Sequence, residues 1–126
     1  MKKIINTTNA PAPIGPYSQA VIANGFLFAS GQVAINPENG ELSIGSIAEE
    51  THQVMRNIKA VLIAADYEFS HIIKTTIFLS DMALFAEVNE IYGSYFDSEF
   101  PARETVAVKG LPKGVNVEIS ITAYKA

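Results

Sequence analysis

The stretch AVIANGFLFA, residues 20–29, places two short apolar runs on either side of the dipeptide Asn24-Gly25. Asparagine and glycine tolerate positive φ, which a type I′ turn requires at both of its central positions. Apolar runs that flank such a dipeptide indicate a β-hairpin. The stretch therefore predicts two antiparallel strands, over residues 20–23 and 26–29, that begin a β-sheet.

A long amphipathic helix is predicted to follow the hairpin. Ser46 and Glu49 have the spacing of a capping box. Residues with apolar groups then recur with a 3.6-residue period over about five turns, at Ile47, Thr51, Val54, Met55, Ile58, Val61, Leu62 and Ala65. Polar residues fall mainly on the other side of this helix, namely Glu50, Gln53, Arg56, Asn57 and Lys59.

The remaining elements complete one domain over residues 1–126. Short strands are predicted at 2–6, 72–79, 104–108 and 115–124, and Asp81 can cap a second helix. The apolar stripe of that helix is Phe85, Val88, Tyr92, Tyr95 and Phe96. The order β, β-hairpin, α, β, α, β, β predicts an α+β fold in which two helices cover one face of one sheet.

The last strand has two chemically different faces. Val117, Ile119, Ile121 and Ala123 alternate with Glu118, Ser120, Thr122 and Tyr124. Because successive strand residues point to opposite sides, the apolar set should meet the helices. The polar set then lies either in solvent or in a wet cavity between subunits, and the sequence leaves both alternatives open.

Composition narrows the function classes. The 126 residues carry a formal net charge of −4, include no cysteine, and are only 17% charged. Lysine and arginine are scattered, so there is no basic stripe for nucleic acid, and thiolate catalysis and Cys-ligated metals are excluded. No apolar signal-peptide region or membrane-length run is present, so we expect a cytoplasmic protein. The low charge also favours another subunit covering part of the apolar surface.

Motifs for nucleotide binding, serine hydrolysis and zinc proteolysis are absent, so the candidates are single residues. Arg103 could present its planar fork to a substrate carboxylate, although from residue types alone a structural salt bridge is favoured. Glu118 could act as an acid/base group with a pKa raised by partial burial, although a solvated strand face is favoured. His52 and His71 have no partner at ligand spacing, so we expect structural roles and no metal.

Several separated motifs resemble the RidA/YjgF family. They are APAPIGPYSQ (10–19), SGQ (30–32), FPAR (100–103), LP (111–112) and VEI (117–119). The likeness runs essentially end to end, with the motifs in the family's order and close to its spacing. It implies a chorismate-mutase-like fold with a mixed sheet, a homotrimer whose sheets form a central barrel, and three clefts at subunit interfaces.

The resemblance also implies roles for individual residues. Arg103 would bind the substrate carboxylate, and family branches that lack this arginine lose deaminase activity. The pocket would be lined or shaped by Tyr17, Ser30, Gly31, Phe85, Asn89 and Glu118. Many members have cysteine where this chain has Thr105, but the family's mechanism uses the backbone carbonyl there to hold water, so threonine should be tolerated. Glu104 should face away from the pocket.

The implied reaction is hydrolysis of 2-iminopropanoate and 2-iminobutanoate, formed from 2-aminoacrylate and 2-aminocrotonate, to 2-keto acids and ammonia. This reaction pre-empts damage to pyridoxal-phosphate enzymes and is expected to need no cofactor. One alternative is a non-catalytic trimer that binds a 2-keto acid through the same Arg103 pocket and regulates a partner. Another is an RNA-directed nuclease or translation inhibitor, which the acidic balance disfavours.

Overall fold

The computed structural model describes residues 1–126 as a six-stranded sheet with two helices. The strands are β1 (Lys3–Ile5), β2 (Ala20–Ala23), β3 (Phe26–Gln32), β4 (Ile72–Leu79), β5 (Ala102–Ala107) and β6 (Val117–Tyr124), and the helices are α1 (Ile47–Ala64) and α2 (Phe85–Gly93). The sheet order is β1-β2-β3-β6-β4-β5. Only the β4–β5 pair is parallel, so the predicted mixed sheet is confirmed. No helix has the length and apolarity needed to cross a membrane.

The predicted hairpin is confirmed. β2 and β3 are antiparallel, and the connecting residues Asn24 and Gly25 have φ values of 51° and 81°. A side chain at Gly25 would also collide with the Lys125 backbone carbonyl, so glycine is required there for space as well as for conformation. β3 continues to Gln32 and shifts its register against β6 between Ala29 and Gln32.

Several element boundaries differ from the sequence prediction. β1 is shorter than the predicted 2–6, and α2 ends at Gly93, so Tyr95 and Phe96 of the predicted stripe lie beyond the helix. The Asp81 carboxylate accepts from the Ala83 N–H at 2.8 Å, but it caps a short 3₁₀ turn over 82–84, and α2 begins only at Phe85. β5 begins at Ala102 because parallel pairing with β4 already starts there. β6 begins at Val117 because residues 112–114 form another 3₁₀ turn.

The two faces of the sheet have different surroundings. The helices cover the face that carries Leu27, Ile77, Leu79, Val117 and Ile119, and these side chains are at most 1% exposed. We call the other side the open face. It carries five large side chains that are each more than a third exposed, namely Ile4, Phe26, Phe28, Val106 and Tyr124. The alternation predicted for the last strand is therefore present, with its apolar residues under the helices.

The polar side of α1 was predicted incorrectly at Glu50, Gln53 and Asn57, which are buried. Asn57 Nδ2 donates to the carbonyls of Val33 and Ile35 at 3.0 and 2.9 Å, and Gln53 Nε2 donates to Asn57 Oδ1 at 3.0 Å. Asn57 therefore satisfies backbone carbonyls of the segment after β3, and Gln53 holds Asn57 in place. A hydropathy pattern does not distinguish such polar residues from solvated ones.

Glu50 holds the beginning of β6 in place. Its Oε2 accepts from the N–H groups of Asn116 and Val117 at 2.7 and 2.9 Å, and its Oε1 accepts from Asn116 Nδ2 at 3.0 Å. The side chain is fully buried. A buried carboxylate is tolerated only with such hydrogen bonds, because an unpaired one is costly to desolvate. Glu50 therefore fixes the start of the strand that carries Glu118.

We expect Glu50→Ala to lower the free energy of unfolding by about 3 kcal/mol, because it leaves buried donors without an acceptor. Urea denaturation followed by circular dichroism measures this change. The matched control is Glu90→Ala, which removes an exposed glutamate of α2 and should hardly move the midpoint. Equal midpoints for the two variants would contradict the anchoring role of Glu50.

Candidate functional site

Arg103 is held by uncharged groups on the helix-covered side of the sheet. It lies opposite Thr75 in the β4–β5 register, and its Nη1 donates to Asn89 Oδ1 in α2 at 2.6 Å. Its Cζ atom lies 5.7 Å from the ring centroid of Phe85 and 5.2 Å from that of Tyr92. These distances are within the range for cation–π attraction.

No carboxylate of the chain pairs with Arg103. The two ion pairs present join Lys74 to Glu104 at 2.9 Å and Lys125 to Asp66 at 3.3 Å. The structural salt bridge favoured from residue types is therefore wrong, and Glu104 faces away from Arg103, as strand alternation predicts. Most N–H donors of the guanidinium have no protein acceptor, so it can bind a carboxylate through two parallel hydrogen bonds.

Glu118 lies near the middle of the open face. Its side chain is partly buried, and this burial raises the pKa of its carboxyl above the ordinary value. No lysine or arginine pairs with it. Glu118 is therefore only partly solvated, and it has the raised pKa that the alternative anticipated.

Gly31 is what allows Glu118 to lie across β3. A Cβ atom at Gly31 would overlap the Glu118 carboxylate, so any larger residue would displace it. Tyr17, Gly31 and Glu118 line one cavity together with Ile14 and Lys113. Three of the predicted pocket residues therefore do meet in space.

Ser30 acts on the loop that carries Tyr17. Its Oγ donates to the Ser18 carbonyl at 2.6 Å, so the hydroxyl proton is engaged within the chain. The neighbouring Gln19 is buried, and its Nε2 donates to the Pro11 carbonyl at 2.9 Å. These bonds fix the loop against β3 and place Tyr17 at the mouth of the cavity.

Thr105 lies two residues after Arg103 on β5, so its side chain points to the same side of the sheet. Its Oγ1 is buried and has no hydrogen-bond partner. β5 is an edge strand that pairs only with β4, so backbone groups on its outer side have no partner strand. A backbone carbonyl on that side of β5 is free to hold a water molecule.

The candidate residues form two groups on opposite faces of the sheet. We call Phe85, Asn89, Tyr92 and Arg103 the arginine half-site, and Tyr17, Gly31 and Glu118 the glutamate half-site. Arg103 is in register with Thr75 on the helix-covered side, whereas Glu118 is in register with Phe78 on the open face. β4 also separates the two strands, which puts their backbones about 10 Å apart. One chain therefore does not bring Arg103 and Glu118 together.

Tyr92 of the arginine half-site was not predicted, nor were Phe100 and Lys113, which lie next to the half-sites. Tyr92 lies on the face of α2 that also carries Phe85 and Asn89, because the three residues have i, i+4, i+7 spacing. That spacing could have identified Tyr92. Phe100 beside Arg103 and Lys113 beside Glu118 lie in irregular segments, where no periodic signal exists.

Both histidines have structural contacts. His52 Nδ1 lies 2.7 Å from the Tyr95 hydroxyl, and His71 Nδ1 accepts from the Glu68 N–H at 2.9 Å. The structural roles predicted for them are confirmed. No cluster of three potential metal-binding side chains occurs in the chain.

The raised pKa of Glu118 predicts how pH affects stability. Above the ordinary glutamate value of 4.5, the unfolded chain loses this proton before the folded chain does, so the parent loses stability as pH rises toward the raised pKa. Glutamine does not titrate. The stability of Glu118→Gln relative to the parent should therefore increase over this window and level off above it.

Urea denaturation from about pH 4 to pH 8 measures this difference. The matched control, Glu90→Gln, removes an exposed carboxylate without the same burial. A relative stability of Glu118→Gln that falls with rising pH would exclude the desolvated carboxyl.

The sequence of the whole chain is similar to those of known proteins. The family model described as Endoribonuclease L-PSP matches residues 7–125. A Lactococcus lactis protein named putative regulator AldR is 53% identical over 121 residues, which are 96% of each chain. The mouse 2-iminobutanoate/2-iminopropanoate deaminase is 46% identical over 125 residues, covering 99% of this chain and 93% of the relative.

Solved structures show the same architecture along the whole chain. A protein of the Rid family from Yersinia pestis, YyfA, has a TM-score of 0.97 and 49% identity, covering 99% of this chain and 100% of its own. E. coli TdcF with bound serine has a TM-score of 0.94 and 38% identity, covering 98% of this chain and 99% of its own. With a family match and identities of this size over nearly every residue, the chain belongs to the RidA/YjgF family.

Proposed function

We propose that the protein hydrolyses short 2-imino acids, 2-iminopropanoate and 2-iminobutanoate, to 2-keto acids and ammonia. The observation that carries this proposal is the guanidinium of Arg103, which is held by neutral groups and has no protein carboxylate. A guanidinium with free N–H donors matches a carboxylate in planar geometry as well as charge. The name of the mouse relative and the serine bound in TdcF fit a small substrate with a carboxylate.

The proposed site lies between two copies of the chain in a homotrimer. Arg103 and Glu118 lie on opposite faces, so a site that contains both takes one group from each copy. The exposed apolar side chains of the open face, such as Phe28 and Tyr124, favour its cover by further copies. A closed ring of three chains would repeat the same contact three times and form three equivalent sites.

The proposed chemistry is addition of water followed by loss of ammonia. Arg103 would fix the substrate carboxylate, while Glu118 of the next copy and the Thr105 carbonyl hold water near the imine carbon. A bond forms from the water oxygen to that carbon, and the C=N electron pair moves to nitrogen, which takes up a proton. The resulting carbinolamine loses ammonia as the hydroxyl becomes the keto group.

Glu118 would be the proton-transfer group. Its carboxylate accepts a proton from the attacking water, and its acid form passes that proton to the imine nitrogen. It then carries the proton of the carbinolamine hydroxyl to the amino group, which leaves as ammonia. A pKa raised by burial brings the two forms closer in population near neutral pH, which favours a group that both accepts and donates. Tyr17 would close the apolar side of the cavity and favour short substrate side chains.

A second candidate is a non-catalytic trimer that binds a 2-keto acid and regulates a partner. The Lactococcus lactis relative named as a putative regulator favours this reading. The same arginine half-site would serve it, whereas Glu118 would have no proton to transfer. Glu118→Gln distinguishes the two, because ligand binding should persist in both cases but only an enzyme loses turnover.

An RNA-directed activity is disfavoured despite the family model's description. Phosphate backbones are bound through clustered lysine and arginine side chains. This chain has 9 such residues against 13 acidic ones, for a net charge of −4. The arginine half-site is also built around one cation with aromatic neighbours, which suits a single carboxylate.

Arg103→Ala should lower kcat/KM for 2-iminobutanoate about 100-fold, because it removes a two-pronged, charge-assisted contact. A dehydratase generates the imine in the assay, and semicarbazide traps the imine that has not been hydrolysed. Faster hydrolysis is measured as a smaller amount of trapped product. The control is Arg56→Ala, which removes an exposed arginine of α1 and should keep full activity. Unchanged activity of Arg103→Ala in an intact assembly would exclude the carboxylate anchor.

Mixing two inactive variants tests whether each site spans two copies. Arg103→Ala and Glu118→Gln chains are unfolded together in equal amounts and refolded. In a cyclic trimer, about a quarter of the sites would combine the intact arginine of one chain with the intact glutamate of its neighbour. We therefore expect about a quarter of the parent activity, whereas separately refolded variants stay inactive.

Each refolded sample is checked for mass by light scattering. No recovery of activity in mixed trimers of the right mass would show that both residues act from the same chain. The double variant Arg103→Ala/Glu118→Gln, mixed with either single variant, is the control, because no site then contains both intact residues.

A further inference from the structure

We propose that Tyr92 is a positioning residue that, with Thr75, holds the Arg103 guanidinium ready for a carboxylate. This inference rests on the proposed function, because it concerns the arginine half-site. The Tyr92 ring lies beneath the guanidinium at 5.2 Å, and its hydroxyl lies 2.8 Å from Thr75 Oγ1. Tyr92 and Thr75 are 3% and 1% exposed.

The three residues form a closed triangle. Thr75 and Arg103 are paired positions in the β4–β5 register, so the backbone fixes the distance between them. The hydrogen bond between the Thr75 and Tyr92 hydroxyls fixes the ring relative to β4. The ring in turn contacts Arg103, which extends from the neighbouring strand β5.

This triangle reduces the conformational freedom of a long side chain. Free arginine side chains lose rotamer entropy when they bind, so fixing one beforehand increases affinity. Asn89 fixes the guanidinium at one nitrogen only, and that bond lies at an exposed position. The buried Tyr92–Thr75 pair therefore supplies the rigid support that Asn89 alone does not.

A purely structural role for Tyr92 makes a different prediction. Its ring also lies 5.0 Å from that of Phe96, so the residue contributes to the apolar core. If packing were its only role, losing the hydroxyl would lower stability and leave ligand affinity unchanged. Affinity and KM therefore separate the two roles, whereas stability does not.

The experiment compares Tyr92→Phe, Thr75→Val and the double variant in titrations with 2-oxobutanoate, a stable product of the proposed reaction. Either single change should raise the dissociation constant about fivefold, because it breaks the hydrogen bond that fixes the ring, and a neutral hydrogen bond is worth roughly a factor of 2 to 12. Because both changes break the same hydrogen bond, the double variant should bind no more weakly than either single one. KM should rise similarly, with kcat within about twofold of the parent.

Two matched controls lose a buried hydroxyl elsewhere. Tyr67→Phe removes a hydroxyl that donates to the Gly25 carbonyl at 2.7 Å, and Thr51→Val removes one that donates to the Ile47 carbonyl at 2.8 Å. Both should lower stability and bind 2-oxobutanoate like the parent. Thr75→Ser keeps the hydroxyl and its hydrogen bond, so it should bind 2-oxobutanoate like the parent.

Arg103→Ala is titrated in parallel to separate the two proposals. If it abolishes binding while Tyr92→Phe and Thr75→Val bind like the parent, the positioning inference is overturned and the proposed function stands. If Arg103→Ala itself binds like the parent, the proposed function fails. The ¹⁵N relaxation of Arg103 Nε in the ligand-free protein then decides the inference, since greater mobility in Tyr92→Phe supports positioning and equal mobility overturns it.

Discussion

Successive side chains of a β-strand point to opposite faces of the sheet, and this alternation separates Arg103 from Glu118. Apolar side chains cover the face under the helices. Arg103 lies at the border of this apolar core, on the edge strand β5. Glu118 lies on the open face among groups that no helix covers. The division leaves a cation and a carboxylate that have no ionic partner within their own chain.

The buried polar residues of α1 link the stability of the fold to the position of the glutamate half-site. Glu50 fixes the start of β6, one residue before Glu118. Asn57 fixes the segment that comes directly after β3, beginning two residues beyond Gly31. The chain next to Glu118 and the chain next to Gly31 are therefore both attached to α1 by hydrogen bonds. Because α1 also supplies much of the apolar core, the position of Glu118 depends on the same packing that stabilises the fold.

Local signals predicted the elements, and long-range contacts account for what was missed. The Asn24-Gly25 turn and the 3.6-residue period of α1 depend only on neighbouring residues, and both are confirmed. The burial of Glu50 depends on backbone groups more than sixty residues away, which no local pattern records. The two half-sites were not foreseen as separate, because strand order determines which faces they occupy. Their residue types came from motifs of the family resemblance.

Catalysis and ligand sensing place different demands on Glu118. A sensor for an anionic 2-keto acid gains nothing from a carboxylate near its ligand, since two negative charges repel. Burying a carboxylate without a cationic partner also costs stability, and the raised pKa of Glu118 reflects that cost. Gly31 leaves space for the Glu118 carboxylate, which a larger residue at position 31 would displace. A proton-transfer role gives a reason for retaining a destabilising group, and sensing alone does not.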